Sequence, residues 1–105
     1  MDAELKQKWI DALRSGEYVQ GKYKLRSASE YWCCLGVLCD VCGKGEWIKG
    51  DEVSHSYLYE FNGETSTAYL PTTLGLEVES TVFTDMNDRQ EKTFAEIADW
   101  IEQNL

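Results

Sequence analysis

The sequence predicts an α+β fold: three helices packed on a small antiparallel sheet. Three observations predict it. Apolar residues recur at helical spacing at both ends of the chain. A third apolar run in the middle sorts onto one helical face. Between the middle run and the C-terminus, residues alternate with period 2 around Asn62-Gly63, the strongest short hairpin signal. At 105 residues the chain has the length of one domain, read as 1–105.

In Asp2–Arg14, Leu5, Trp9, Ala12 and Leu13 fall at i, i+4, i+7 and i+8, so one stripe is apolar. Asp2 is placed to cap the start, and Gly16 stands where a left-handed residue ends a helix. From Lys22 to Arg26 the pattern changes to period 2. Read as a strand, it turns Tyr23 and Leu25 inward and sets Lys22, Lys24 and Arg26 in a basic outer row.

Residues 31–42 are the densest apolar run. As a helix they place Cys34, Val37, Leu38, Val41 and Cys42 on one face, with Gly36 and Asp40 opposite, and Gly43 and Gly45 end it. Residues 46–70 read as strands. The Asn62-Gly63 turn sets Phe61 against Glu64, Tyr59 against Ser66 and Tyr57 against Ala68. Pro71, the only proline, closes the last strand. Residues 72–92 are a connection with a short helical turn near Asp85–Asp88. Thr93-Phe94-Ala95-Glu96 is a capping box opening the last helix, whose stripe is Phe94, Ile97, Ala98, Ile101 and Leu105.

Composition excludes several classes. Hydrophobic residues make up 43%, too many for a disordered chain. No apolar run approaches the ~20 residues of a membrane span. With no secretory leader pattern at Met1–Leu5, a cytoplasmic chain with reduced thiols is expected. The formal net charge of −9 disfavours binding to duplex nucleic acid. That charge is uneven. Residues 1–26 carry six basic and four acidic side chains, net +2, and the remainder carries four and fifteen, net −11.

Four cysteines, Cys33, Cys34, Cys39 and Cys42, lie within ten residues. A zinc site needs four converging ligands, and on a helix Cys33 points away from Cys42, so no metal and no cofactor is expected. A thioredoxin-like role needs its cysteines at a helix start, whereas Cys39 and Cys42 lie near an end. A hydrolase pairing Cys34 or Cys39 with the single histidine, His55, is the enzymatic alternative. A structural metal module is another. The candidate ligand-binding residues are Arg14, Lys22, Tyr23, Lys24 and Arg26, a basic set fit to hold phosphate beside an aromatic ring. The competing reading of the same lysines is an edge strand protected against aggregation.

Several strings also carry a resemblance: Trp9-Ile10-Asp11-Ala12-Leu13-Arg14-Ser15-Gly16, Gln20-Gly21, Cys33-Cys34-Leu35-Gly36-Val37-Leu38-Cys39-Asp40, Leu70-Pro71, Gly75-Leu76, Met86-Asn87-Asp88, and the helix Phe94–Glu102. In these the chain resembles a small family of proteins encoded by tailed bacteriophages and prophages. The resemblance implies an accessory protein acting in the host bacterial cytoplasm, and it transfers no activity and no catalytic residues. Such accessory proteins often antagonise host enzymes or defences. The expected function is therefore a non-catalytic binder. Its partner is either a host protein, met by the acidic surface, or a small nucleotide signal held by the basic set. Whether the helical stripes are buried within one chain or in a homodimer stays open.

Overall fold

A computed structural model describes residues 1–50 and 56–105. Their order is α1 (Ala3–Arg14), β1 (Val19–Gln20), β2 (Tyr31–Trp32), α2 (Cys34–Cys42), β3 (Glu46–Lys49), β4 (Tyr57–Phe61), β5 (Glu64–Ser66), a 3-10 turn (Thr72–Leu74), α3 (Ser80–Thr84), a π turn (Asp85–Arg89) and α4 (Phe94–Asn104). The α+β class is as expected, with four helices among the described residues rather than three. The antiparallel sheet runs β3-β4-β5, and β1 and β2 form a separate parallel pair.

Both terminal helices start as their sequences dictate. The Asp2 carboxylate accepts from the Leu5 amide at 2.8 Å. Thr93 and Glu96 exchange side-chain bonds with each other's backbone amides, at 3.2 and 3.0 Å, completing the capping box. Trp9, Ile10 and Leu13 of α1 face Ile97, Ala98 and Ile101 of α4 across the core, all of them buried. Trp9 is the largest of these side chains. Hiding its ring takes roughly 200 Å² out of water, worth about 5 kcal/mol. Its indole N–H donates to the Cys34 carbonyl at 2.9 Å, so no polar atom is orphaned. Leu105 departs from its expected stripe: it lies past the end of α4 and is exposed.

The middle of the chain departs further. Tyr31 and Trp32 are strand, paired in parallel with Val19 and Gln20, and the helix begins only at Cys34. The expected two-faced division of α2 also fails at Gly36. That residue is buried, because α2 lies directly on the backbone of Leu25. A Cβ on Gly36 would stand 1.8 Å from the Leu25 carbonyl oxygen. Cys34 through Cys39 are all buried, and only the last turn of α2 reaches the surface.

The basic strand expected at 22–26 does not form. Strand β1 ends at Gln20, Arg26 makes only an isolated antiparallel bridge to Trp32, and Tyr23 takes a left-handed φ of 69°. This reverses the alternation at Tyr23, whose ring is exposed, while Leu25 is buried as expected. The Asn62-Gly63 hairpin forms, both residues having positive φ, with Phe61 opposite Glu64 and Tyr59 opposite Ser66. The expected pair of Tyr57 with Ala68 does not form, because the chain leaves the sheet after Ser66 and the Thr67 carbonyl accepts from the Leu25 amide at 2.7 Å; on its other side Tyr57 pairs with Lys49 of β3. Tyr59 is the sheet's anchor: it is buried, and its hydroxyl accepts from the Gly45 amide at 2.6 Å.

Gly36→Ala tests this close approach of α2 to the Leu25 backbone. The neighbour is backbone and cannot rotate away, so a loss of about 3 kcal/mol is expected. That lowers Tm by more than about 10 °C for a domain of this size. An unchanged Tm in differential scanning calorimetry contradicts the helix-on-backbone contact.

Candidate functional site

The candidate site is built on one buried amide. Asn87 is 1% exposed, held inward by the π turn. The turn bends because the Gln90 amide reaches back to the Asp85 carbonyl at 2.9 Å and the Lys92 amide to that of Met86 at 3.0 Å. The widened turn directs the consecutive residues Met86 and Asn87 both into the core. Asn87 Oδ1 accepts from Gln20 Nε2 at 2.9 Å and from the Cys34 amide at 3.3 Å. Its Nδ2 donates to the Gly21 carbonyl at 2.9 Å and to Asp88 Oδ1 at 2.8 Å. Gln20 extends the network, with Nε2 donating to the Lys92 carbonyl at 2.8 Å and Oε1 accepting from the Phe94 amide at 3.1 Å. The first amide of α2, which has no side-chain cap at Cys33, is thus satisfied from 53 residues away.

Asp88 carries the network to the surface. Its Oδ1 also accepts from the Tyr23 amide at 3.1 Å, fixing the left-handed residue whose ring is 67% exposed. Beside it lies a cleft of about 300 Å³ lined by Tyr23, Tyr69, Thr81, Thr84, Asp85, Asp88 and Arg89. A second cleft of similar size is lined by Asn87 itself, with Lys22, Glu91 and Lys92 in its wall. The larger cleft of about 450 Å³ is elsewhere, between the start of α1 and the end of α2, with an apolar floor of Leu5, Val41 and Leu76.

The five sequence-derived candidates do not form one basic face. Arg14 spans α1 and α4, its guanidinium donating to Asp99 at 2.6 Å and Glu102 at 3.1 Å, and those bonds raise its pKa. Lys22 pairs with Glu91 at 2.5 Å, which raises the lysine and lowers the carboxylate. Arg26 forks onto Glu30 at 2.8 and 3.0 Å, holding that carboxyl below its usual range. Its guanidinium carbon also lies 3.9 Å from the Tyr57 ring centroid and 4.7 Å from that of Trp32. Lys24 is half-buried. Of the five, only Tyr23 and Lys22 line the two smaller clefts, one in each. Sequence reasoning passed over Gln20, Tyr69, Asn87 and Arg89. The strings Gln20-Gly21 and Met86-Asn87-Asp88 were visible, but nothing local shows that they meet.

The cysteines are free thiols. Cys33, Cys34 and Cys39 are buried, and desolvation raises all three, Cys33 to about 11. Cys42 is half-buried, 3.5 Å from the Tyr59 hydroxyl. Among the described residues no group of three or more histidine, cysteine or acidic side chains is placed to hold a metal ion. The Cys–His pairing of the enzymatic alternative rests on His55, which lies outside the described residues. No helix of the described residues is long and apolar enough to cross a membrane.

Residues 1–75 match the family described as a domain of unknown function, DUF8296. The chain belongs to this family. Comparison with curated proteins and with solved structures gave no match. The DUF8296 match takes in α1, both sheets and α2, and stops short of α3, the π turn and α4. The Asn87 network crosses that limit, joining Gln20, Gly21 and Cys34 to the segment after it.

Asn87→Ala orphans the Gly21 carbonyl, the Cys34 amide and one Gln20 N–H bond. A loss of about 3 kcal/mol is expected in urea unfolding, since each buried group left unpaired costs about 1–3 kcal/mol. Asn87→Asp sets an anionic oxygen against the Gly21 carbonyl and the Asp88 carboxylate. The introduced acid then has a raised pKa in the folded state, so its damage is smallest at low pH and grows as pH rises through that value. Equal damage at pH 4 and pH 8 contradicts this assignment of the amide.

The thiols give a separate expectation. At pH 8 a thiol reagent should modify one site per native chain quickly, mapped to Cys42 by peptide mass, and four in urea. Rapid labelling of Cys34 or Cys39 in the native protein contradicts the burial described.

Proposed function

We propose that the chain is a non-catalytic binder. It acts as a phage accessory protein in the host cytoplasm, where it docks its acidic surface on a basic face of a host protein and thereby antagonises a host enzyme or defence. One observation carries the reading. The cations that the sequence offered as an anion site are spent inside the molecule: Arg14 on Asp99 and Glu102, Lys22 on Glu91, and Arg26 on Glu30. Paired in this way, the three cations form no open positive patch, and the surface keeps the chain's formal net charge of −9. Burial of three thiols, each kept protonated, weighs against the cysteine-hydrolase alternative.

A second reading, sequestration of a nucleotide, retains one supporting observation: Tyr23 and Arg89 line the same cleft. An anionic ligand must approach a chain of net charge −9, which opposes its capture at low salt.

The test is crosslinking capture from bacterial cytosol, followed by kinetics on the purified partner. The expected partner has a basic face, and the association rate falls about tenfold between 50 and 500 mM salt while dissociation changes little. Salt-insensitive association overturns the docking reading. A thermal shift of several degrees with a mononucleotide, absent with basic proteins, favours sequestration instead.

A further inference from the structure

We infer that the Tyr23–Tyr69 cleft is the anchor point of the docking surface and takes an arginine side chain of the partner. The inference rests on the docking reading and specifies the residue recognised.

Tyr23 and Tyr69 are 67% and 54% exposed, so both side chains are accessible to a partner. Exposed tyrosines around a concavity are the side chains that most often anchor protein interfaces. The cleft measures about 300 Å³, the lower end of the range for small-molecule sites and enough for one long side chain. Its walls carry Asp85 and Asp88 against the single cation Arg89, so the lining is net negative. Each carboxylate uses one oxygen internally: Asp85 Oδ2 accepts from Gln90 Nε2, and Asp88 Oδ1 from the Tyr23 amide and Asn87 Nδ2. A guanidinium suits these walls better than an ammonium. Its planar face stacks on a tyrosine ring while its edge donates in parallel to a carboxylate. The hydroxyls of Thr81 and Thr84 can accept its remaining N–H groups.

The cleft is also held in shape before any partner arrives. Asp88 fixes the Tyr23 backbone, and the neighbouring residue Asn87 is locked by four hydrogen bonds. Less side-chain freedom is then lost on binding.

Arg89 separates this proposal from a phosphate-binding cleft. For a cationic guest Arg89 is a like charge, and its removal should help. For a phosphate it is the natural partner, and its removal should abolish binding.

The experiment titrates the full chain with the tripeptide Gly-Arg-Gly, its citrulline analogue and guanosine monophosphate, read by NMR of the tyrosine rings. The expected result is saturable shifts of Tyr23 and Tyr69 with the arginine peptide, at least fivefold weaker with citrulline, which keeps the shape and lacks the charge. Arg89→Ala should tighten arginine binding about threefold, and Asp85→Asn should weaken it by a similar factor. Tyr69→Ala should abolish it. Tyr69→Leu keeps the apolar bulk without the ring, and should abolish it too. Equal shifts from arginine and citrulline overturn the proposal. So does guanosine monophosphate binding that Arg89→Ala removes.

Failure here is distinguishable from failure of the docking reading. If Tyr69→Ala leaves salt-sensitive partner association unchanged, docking stands and this cleft is not its anchor. If the arginine peptide binds as expected but partner association ignores salt, the cleft stands and docking by charge falls.

Discussion

The buried amide of Asn87 is the constraint on which the rest of the structure depends. It ties four segments that are distant in sequence: the end of β1, the start of α2, the π turn and the entry to α4. A buried amide is costly unless its donors and acceptor are all engaged. Here both ends are engaged, and Gln20 beside it is engaged as well. Such a network tolerates few alternative arrangements, since sliding any one segment strands polar groups in the core. The apolar contacts around it supply most of the stabilising free energy. Trp9 packs on Phe83 with ring centroids 4.9 Å apart, and Phe83 on Trp100 at 5.5 Å. Those contacts are less directional. The amide fixes which residues meet.

The same constraint explains why the surface above it is unusual. At 85–89 the turn is widened, with the Gln90 amide bonded to the Asp85 carbonyl at 2.9 Å. The π turn buries both Met86 and Asn87, and its bend leaves Asp88 at the surface, where it reaches Tyr23. Tyr23 then adopts a backbone conformation that a non-glycine residue reaches at some cost. Core geometry and exposed ring are therefore linked through two adjacent residues, Asn87 and Asp88. A strained, exposed aromatic mounted on a rigid base differs from a flexible loop tip, because its position is set before any partner binds.

What the sequence disclosed follows from the range of each interaction. The capping box, the Asn62-Gly63 hairpin and the separate apolar stripes of α1 and α4 depend on residues within a turn or two, so they were legible, whereas the packing of one stripe on the other was not. The strand at 22–26 was misread because period 2 is a local signal, and it was overridden by the bond from Tyr23 to Asp88, 65 residues away. Gly36 looked like a surface position because helical geometry alone cannot reveal that another backbone lies against it. The basic set failed for a related reason. Sequence shows charges but not partners, and Arg14 and Lys22 meet theirs more than 60 residues on. Tyr69, Arg89 and Tyr23 are unremarkable singly, and only the fold assembles them into a cleft.

The division of labour between charge and aromatic surface follows from magnitudes. Uncompensated surface carboxylates act over about 8–10 Å at physiological salt and gain little per pair once solvated. They speed encounter and reject acidic partners, but they do not hold a complex together. Retention requires a desolvated contact, and among exposed side chains the aromatic ones lose the least conformational entropy for the area they cover. Val19, Tyr23, Tyr31 and Tyr69 are among the chain's exposed large hydrophobics. Only Tyr23 and Tyr69 of these share a described cleft, and that cleft also holds carboxylates. Long-range attraction and short-range retention coincide there. By contrast, the aromatic cluster of Trp32, Trp47 and Tyr57 already has its cation, because Arg26 sits over all three rings with Glu30 closing the fork. The molecule thus contains, satisfied within itself, the same chemistry that the Tyr23–Tyr69 cleft leaves open to a partner.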